Sequence, residues 1–296
     1  MPHRTHRSQA ALTTGQHVIE VDGVCQAYEV AGNGPVCLVH SGGPGIDSGY
    51  LRMPLLERHM TMVYLDPVGT GQSDFAPGGD YSVPAYARFS EGVLKHLDVD
   101  RPFFIGHSHG GFVGLEVALR NPGLLGGLVA YSTAPLYGPA LFEEATRQMD
   151  AFAARWPDRP EAAEAARAWD AAMVSRTATI TDRRSHREFL RAILPACFAD
   201  FRRTVADRGP ITLEVTYDPA RENGEWDGRG LIDRIGTPTL VVSGACDFVC
   251  PRPWSEELVA RIPAARMLAL DHSGHFGHLE SEQDTFVREV VAFVTG

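Results

Sequence analysis

The sequence lacks an apolar run long enough to cross a bilayer, since no stretch approaches the roughly 18 consecutive apolar residues that a membrane-spanning helix requires. It also lacks the apolar stretch of a secretory signal near its start, where MPHRTHRSQAALTTGQ is polar and basic. We therefore expect residues 1–15 to form a disordered leader. We expect a cytoplasmic protein with no membrane partner.

The sequence also lacks excess positive charge. Its 27 Lys and Arg residues are outnumbered by 37 Asp and Glu residues, which gives a net charge of −10. Nucleic acids and anionic membranes attract basic surfaces, so this balance argues against both as partners. Cysteines are few, odd in number and irregularly spaced, which disfavours a disulfide framework and fits a reducing compartment. Cys246 and Cys250 lack the second pair that a zinc site would need. We expect neither a metal nor a cofactor.

Six short apolar runs are present, and stretches typical of helices separate most of them. They cover residues 36–39, 62–65, 103–105, 128–131, 239–242 and 266–270. Unbroken apolar runs of this length are typical of parallel strands that helices cover on both faces. Before them, an alternating pattern over 16–30 with the turn signal Asp22-Gly23 predicts a β-hairpin. The sequence therefore predicts an α/β fold with a mostly parallel central sheet.

Residues 136–230 interrupt this rhythm. They are rich in Ala, Arg and Glu, and AFAARWPDRPEAAEAARAWDAAMV reads as helices broken near its prolines. Because nearly a hundred residues pass without a buried-strand signal, we interpret this segment as a helical lid between two parts of one core, 16–135 and 231–296. The alternative is an ordinary α/β segment with long helices.

The sharpest motif is Gly106-His107-Ser108-His109-Gly110, which follows an apolar strand and leads directly into an amphipathic helix pattern. Strand, G-x-S-x-G and helix in succession form the context of a nucleophile elbow. The glycines allow the sharp turn that exposes the serine, and the helix N-terminus adds partial positive charge nearby. A chance match is the alternative in a chain with 30 glycines. We predict that Ser108 is a catalytic nucleophile.

A catalytic serine needs a base, and the base needs an acid that orients it. In this arrangement the chain order is Ser, then Asp or Glu, then His. Asp247 and His275 each follow a predicted strand in that order. His272 is a rival base, and H-x2-H-x2-H through His278 could suggest a metal. We prefer His275 because it directly follows a glycine in a loop, and this spacing does not fall on one helix face.

The oxyanion of an acyl-transfer intermediate needs preorganised N–H donors. We predict that one is the backbone amide of His109, the residue after the nucleophile. The second should come from the loop HSGGPG, where glycines let the backbone approach a tetrahedral centre. Gly43 is the candidate, with Gly42 as its neighbour, and an ordinary turn is the alternative.

Together, HSGGPG, DPVGTGQSD, GHSHGG, GACDFVCP and SGHFGHLE resemble the proline iminopeptidase-like branch of the α/β-hydrolases. The resemblance covers 16–135 and 231–296. The family's HGGPG loop corresponds to 40–45, with Ser41 inserted, and its D-x-x-G-x-G-x-S stretch corresponds to 66–73. The resemblance implies an α/β-hydrolase fold and assigns the catalytic roles to Ser108, Asp247 and His275. It also implies removal of an N-terminal residue from a peptide or amide.

Members of that family bind the free α-amine of the substrate with carboxylates of the lid. In this chain ITLEVTYDPARENGEWD occupies the corresponding region, and Glu214 matches by position only. Asp218, Glu222 and Glu225 are rivals, and all four acids could instead be solvated at the surface. The expected partner is a small peptide or an aminoacylated small molecule.

Three classes of function remain open on the sequence. The first is amide hydrolysis with an amine-anchoring lid, on a peptide or on a small biosynthetic intermediate. The second is carboxylester or thioester hydrolysis with the same triad and no lid acid. The third is a non-catalytic receptor, which an intact Ser, Asp and His set disfavours because a receptor need not keep it.

Overall fold

The chain folds around one eight-stranded sheet in a computed structural model that describes residues 10–177 and 180–296. In chain order the strands are β1 (Gly15–Val21), β2 (Val24–Gly32), β3 (Val36–His40), β4 (Thr61–Leu65), β5 (Phe103–His107), β6 (Gly127–Tyr131), β7 (Leu136–Tyr137), β8 (Trp226–Asp227), β9 (Thr239–Gly244) and β10 (Ala265–Leu270). The sheet has the order β1-β2-β4-β3-β5-β6-β9-β10, and β7 pairs with β8 separately.

The sheet is parallel except at one edge. β1 and β2 form the predicted antiparallel hairpin, with Asp22 (φ 53°) and Gly23 (φ 79°) in its turn, and β2 is also antiparallel to β4. The remaining neighbours are parallel, and each of the six predicted apolar runs lies within an observed strand. The predicted α/β fold with a mostly parallel central sheet is confirmed.

Nine α-helices lie wholly within the described residues. They are α1 (Pro54–Glu57), α2 (Val83–Leu97), α3 (His109–Arg120), α4 (Pro139–Arg155), α5 (Pro160–Trp169), α6 (Arg183–Ile193), α7 (Phe201–Arg208), α8 (Arg252–Arg261) and α9 (Gln283–Thr295). Helices α2, α3 and α8 contribute to one apolar core cluster, and α1 and α9 contribute to another. Both faces of the sheet are therefore covered, which explains why its central strands are unbroken apolar runs. No helix within the described ranges is both long and apolar enough to span a bilayer.

The start of the chain is ordered earlier than predicted. Residues 1–9 of the predicted leader lie outside the described residues. After them, Ala11 is 5% exposed, its carbonyl accepts a hydrogen bond from Tyr28 Oη at 3.1 Å, and β1 already begins at Gly15. This packing against β2 shows that the last part of the 1–15 segment does not behave as a disordered leader.

The lid segment, residues 136–230, holds the two-residue strands β7 and β8, the helices α4 to α7, and a mostly irregular stretch over 209–225 that is extended where Val215 forms a β-bridge with Ile46. Its helices share an apolar cluster with the loops that follow β9 and β10. The rings of Trp169 and Phe248 are 5.2 Å apart, and those of Phe198 and Phe276 are 5.3 Å apart. These contacts place the lid segment over the carboxyl end of the sheet.

Replacing Phe286, which is fully buried in α9 and packs 5.0 Å from the Tyr131 ring, should destabilise the fold. We expect Phe286→Ala to cost about 3–5 kcal/mol of unfolding free energy, because it removes buried apolar surface and leaves a cavity. Urea denaturation followed by fluorescence measures this. Phe75→Ala is the matched control, since Phe75 is 49% exposed, and it should change stability by less than about 0.5 kcal/mol. Equal losses would contradict this account of the core.

Candidate active site

Ser108 lies in the turn between β5 and α3, with φ 53° and ψ −116°. Such a conformation is unfavourable for a residue with a side chain, so the surrounding structure must hold it. The Ser108 N–H donates to Tyr131 O at 2.8 Å, and its carbonyl accepts from Gly111 N and Thr133 Oγ1, both at 2.9 Å. These bonds keep the side chain at the tip of the turn.

The glycines on either side of Ser108 have steric reasons to be there. A Cβ at Gly106 would lie 2.1 Å from Gly110 O, and a Cβ at Gly110 would lie 2.4 Å from His40 O. A Cβ at Gly42, in the loop after β3, would lie 2.6 Å from Ser108 Cβ. The motif is therefore explained by close backbone packing around the serine.

Asp247 and His275 follow β9 and β10, so they emerge at the same edge of the sheet as Ser108. His275 Nδ1 donates to Asp247 Oδ2 at 2.8 Å, and both side chains are buried. Asp247 Oδ1 accepts from the N–H groups of Val249 and Cys250, each at 2.9 Å. The carboxylate thus holds the imidazole in the tautomer that leaves Nε2 able to accept a proton.

Ser108 and His275 both line one pocket beneath the lid segment. No hydrogen bond joins their side chains in this structure. Such contacts commonly tighten only when a substrate is bound. The structure therefore brings together the three residues that the sequence nominated, in an arrangement that suits nucleophilic catalysis.

The residues of the two predicted oxyanion donors, Gly43 and His109, both line this pocket. Gly43 (φ 58°) is in the loop after β3, and His109 is the first residue of α3. Neither backbone N–H donates to a protein acceptor, whereas the neighbouring Gly42 N–H is engaged with Tyr50 Oη at 2.7 Å. The unused donors are thus those of Gly43 and His109, as an oxyanion site requires.

A hydrogen-bonded bridge that the sequence did not indicate joins the loop after β3, which holds Gly42 and Gly43, to the loop after β10, which holds His275. We call them the oxyanion loop and the base loop after the roles predicted for their residues. Tyr50 Oη accepts from Gly42 and donates to His107 Nδ1 at 2.8 Å, and His107 Nε2 donates to the carbonyl of His275 at 2.9 Å. Burial holds the pKa of His107 well below its usual value, so the ring is neutral and can both accept and donate. These hydrogen bonds therefore fix the position of the oxyanion loop relative to the base loop.

Glu280 is hydrogen-bonded to the base loop and to the lid segment. Its carboxylate accepts from Gly274 N at 2.6 Å and from Ala199 N of the lid segment at 2.8 Å. Burial raises the pKa of this carboxyl to about 7. Glu280 thus ties the position of His275 to the position of the lid segment.

The other histidines of H-x2-H-x2-H lie in surroundings that differ from those of His275, and neither is hydrogen-bonded to Asp247. His272 is exposed, and His278 is buried, where it donates to Tyr50 O at 3.0 Å and accepts from Tyr131 Oη at 2.9 Å. Within residues 10–177 and 180–296 no three His, Cys, Asp or Glu side chains form a group that could hold a metal ion.

The pocket has a volume of about 370 Å³ and is mostly apolar. Lid side chains form much of its far wall, including Phe142, Trp169, Met173, Phe189, Leu190 and Ile193. Among the described residues that line it there is no Asp or Glu, and the one permanent charge belongs to Arg221. The pocket therefore favours an apolar group near Ser108 and offers no carboxylate to an ammonium.

Glu214 does not occupy the place that the sequence predicted for it. Its side chain is 49% exposed and forms ion pairs with Arg183 at 3.2 Å and Arg187 at 2.6 Å, both on α6. Its carbonyl accepts from Asp47 N at 3.2 Å, which fixes the backbone of this extended stretch. Adjacent side chains of extended chain point to opposite sides, so Leu213 lines the pocket and Glu214 points outward. The prediction that Glu214 binds a substrate amine is corrected accordingly.

The rival acids also lie away from the pocket. Asp218 is buried and accepts from Tyr81 Oη at 2.6 Å, while Glu222 and Glu225 are exposed. None of the three lines the pocket around Ser108. The amine-binding role therefore has no candidate among the acids that the sequence nominated.

Comparison with known proteins identifies the family. A model described as the alpha/beta hydrolase fold matches residues 34–282. A putative carbamate hydrolase, RutD, of Pseudomonas syringae pv. syringae is 29% identical over 87% of this chain and 93% of the relative. The 2-hydroxy-6-oxo-2,4-heptadienoate hydrolase of Pseudomonas putida is 26% identical over 90% of this chain and 91% of the relative.

Among solved structures, the proline iminopeptidase of Mycobacterium smegmatis superposes with a TM-score of 0.67, covering 95% of this chain and 97% of that one. Its sequence identity of 21% shows a shared fold and does not place this chain in the peptidase branch. Because the family match spans most of the sequence, from before the oxyanion loop to beyond His275, the chain belongs to the α/β-hydrolase fold family and is a hydrolase.

Proposed function

We propose that this hydrolase cleaves carboxylic esters or thioesters of small molecules through an acyl-enzyme on Ser108. The observation that carries the proposal is the pocket: Ser108 and His275 open into an apolar cavity that has no carboxylate among its described lining residues. The names of two relatives, a putative carbamate hydrolase and a hydrolase of an oxo-dienoate, support a small-molecule substrate.

The geometry supports a two-step reaction. His275 Nε2 takes the proton from Ser108 Oγ as the oxygen attacks the carbonyl carbon, and the N–H groups of Gly43 and His109 stabilise the oxyanion. The protonated His275 then gives this proton to the leaving alcohol or thiol, and the acyl group remains on Ser108. Water, deprotonated by His275, releases the acid and restores the serine. Asp247 stabilises the imidazolium in both steps.

The amide-hydrolase alternative receives less support. Removal of an N-terminal residue from a peptide, or of an aminoacyl group from a small molecule, brings a protonated amine into the site. An ammonium that leaves water must regain a contact with an acceptor, most favourably a carboxylate. The pocket offers Arg221 instead, whose positive charge repels an ammonium. We therefore favour the ester or thioester reaction over the peptidase reaction.

Ser108→Ala should abolish hydrolysis and leave the fold intact, because the variant removes the nucleophile and little buried surface. We expect a loss of turnover on the order of 10⁶, measured with p-nitrophenyl butyrate, and loss of labelling by a fluorophosphonate probe. Ser281→Ala, at an exposed serine, should retain both signals. Turnover by a folded Ser108→Ala protein close to that of the unmodified chain would disprove the assignment.

His275→Ala should cost about as much as Ser108→Ala, since the residues act as one unit. Asp247→Asn should cost on the order of 10⁴ in kcat, because an asparagine no longer enforces the required tautomer of His275. Steady-state kinetics on the same ester measures both losses. His272→Ala is the control and should keep full activity, since this side chain is exposed. Loss of activity in His272→Ala alone would transfer the role of base to His272.

A matched pair of esters distinguishes the ester and amine-directed hypotheses. p-Nitrophenyl butyrate and p-nitrophenyl 2-aminobutyrate differ by one α-amine, and rates are corrected for spontaneous hydrolysis. We expect a higher kcat/KM for the neutral ester, because the pocket provides an apolar surface and a cation. Glu214→Gln should alter neither value, since Glu214 is paired with arginines outside the pocket. Preference for the amino ester, reduced by Glu214→Gln, would restore the aminopeptidase hypothesis.

A further inference from the structure

Arg221 supplies the one permanent charge among the described residues of the pocket wall. Its Nη1 donates to Tyr86 Oη at 2.7 Å, and its Nη2 donates to Gly69 O at 3.0 Å. The guanidinium also lies over the Tyr81 ring, 3.8 Å from the centroid. These neutral partners fix the orientation of the group and leave other N–H donors unused.

No carboxylate neutralises this guanidinium by direct contact. Arg221 belongs to none of the ion pairs within 4 Å in the described ranges. Asp218, three residues away, is engaged with Tyr81 Oη at 2.6 Å and with Ala220 N at 2.9 Å. Half-buried charges in proteins are usually paired because an unpaired charge loses solvation. Arg221 therefore has the capacity to accept an anion from the pocket.

The groups around Arg221 form a polar corner in an otherwise apolar pocket. His109 is 3% exposed and lines the pocket, and its Nε2 has no hydrogen-bond partner, while Asn223 Oδ1 is also buried without one. Burial lowers the pKa of His109 to about 3, and burial together with the charge of Arg221 lowers the pKa of His186. Both histidines are thus neutral near pH 7, so Arg221 sets the charge of this corner.

The corner adjoins the oxyanion loop. A Cβ built on Gly45 would lie 3.6 Å from Arg221 Nη2 and 3.7 Å from His186 Cε1, and Gly45 follows Gly43 by two residues. An anion held by Arg221 would therefore lie in the same pocket as a carbonyl at Ser108.

We propose that Arg221 binds a carboxylate of the substrate, so that the preferred substrate carries one carboxylate besides the ester or thioester that is cleaved. A monoester or monothioester of a small dicarboxylic acid has this chemistry. The inference rests on the proposed hydrolase function and names its substrate class. The carboxylate would gain charge-assisted hydrogen bonds from the fixed guanidinium, and the apolar wall would hold the carbon chain between the two ends.

The test compares two esters of equal length. Mono-p-nitrophenyl glutarate and p-nitrophenyl valerate differ in having a carboxylate or a methyl group at the far end of the acyl chain. We expect the unmodified chain to prefer the glutarate. Arg221→Met should lower kcat/KM for the glutarate roughly 10- to 100-fold, as expected for one lost hydrogen bond to a charged group, and should leave valerate within about threefold. Arg221→Lys should retain part of the preference.

Arg183→Met is the matched control, because Arg183 is exposed and pairs with Glu214 outside the pocket. Arg183→Met should leave kcat/KM unchanged for both the glutarate ester and the valerate ester. A second ester pair, 4-carboxyphenyl butyrate and phenyl butyrate, places the carboxylate on the leaving group instead. Preference for the charged member of either pair that Arg221→Met removes supports the proposal. Lack of preference in both pairs, or equal losses on both members of a pair in Arg221→Met, overturns it.

A binding measurement keeps this inference separate from the proposed function. Calorimetric titration with glutarate should show binding to the unmodified chain and to Ser108→Ala, and at least tenfold weaker binding to Arg221→Met. If neither ester is hydrolysed but this difference in glutarate binding is found, the proposed function fails and the carboxylate site stands. If the valerate ester is hydrolysed through Ser108 and glutarate binds equally to both proteins, the function stands and the carboxylate site fails.

Discussion

The site depends on one backbone constraint, the left-handed conformation of Ser108 at the end of β5. A serine does not adopt this conformation freely, so its neighbours must hold it there. Hydrogen bonds to Tyr131, Gly111 and Thr133 fix its two backbone groups. Glycines then bring the oxyanion loop and the first turn of α3 within contact of the serine. Replacing one of these glycines by a larger residue would push a Cβ against backbone atoms rather than against a flexible side chain. This explains why several glycines are clustered around Ser108.

The other groups to which we assign catalytic roles by proposal are held by hydrogen bonds between loops that are distant in the chain. Tyr50 and His107 connect the oxyanion loop to the carbonyl of His275, and Glu280 connects the base loop to the lid segment. These connections are buried or partly buried, and the loss of one would leave a polar group unsatisfied. The proposed oxyanion donors and the proposed base are thus positioned before a substrate arrives, which is what electrostatic stabilisation of an oxyanion requires.

The charge of the pocket is the opposite of what the resemblance to iminopeptidases implies. In the stretch after α7, Leu213 faces the cavity and Glu214 faces the arginines of α6. Further along the same stretch, Arg221 returns to the pocket and is held by Tyr86, Gly69 O and the ring of Tyr81. In this one stretch, the expected carboxylate of Glu214 therefore lies outside the pocket and the guanidinium of Arg221 lies in the pocket wall. The core motifs of a family can persist while the lid changes the substrate, because the two are separate parts of the structure.

The sequence by itself determined the features that depend on short-range pattern and on chain order. The apolar runs predicted the strands because a strand buried on both faces needs unbroken apolar residues, and each run lies within an observed strand. The elbow glycines and the order Ser108, Asp247, His275 nominated three residues, of which Ser108 and His275 line one pocket and Asp247 is hydrogen-bonded to His275 behind it. The tertiary structure alone decided which side of an extended segment faces that pocket, and so separated Glu214 from Arg221. It also decided that Tyr50 and His107, 57 residues apart, share a hydrogen bond. Contacts of this kind depend on how distant segments pack, and no local pattern in the sequence records that packing.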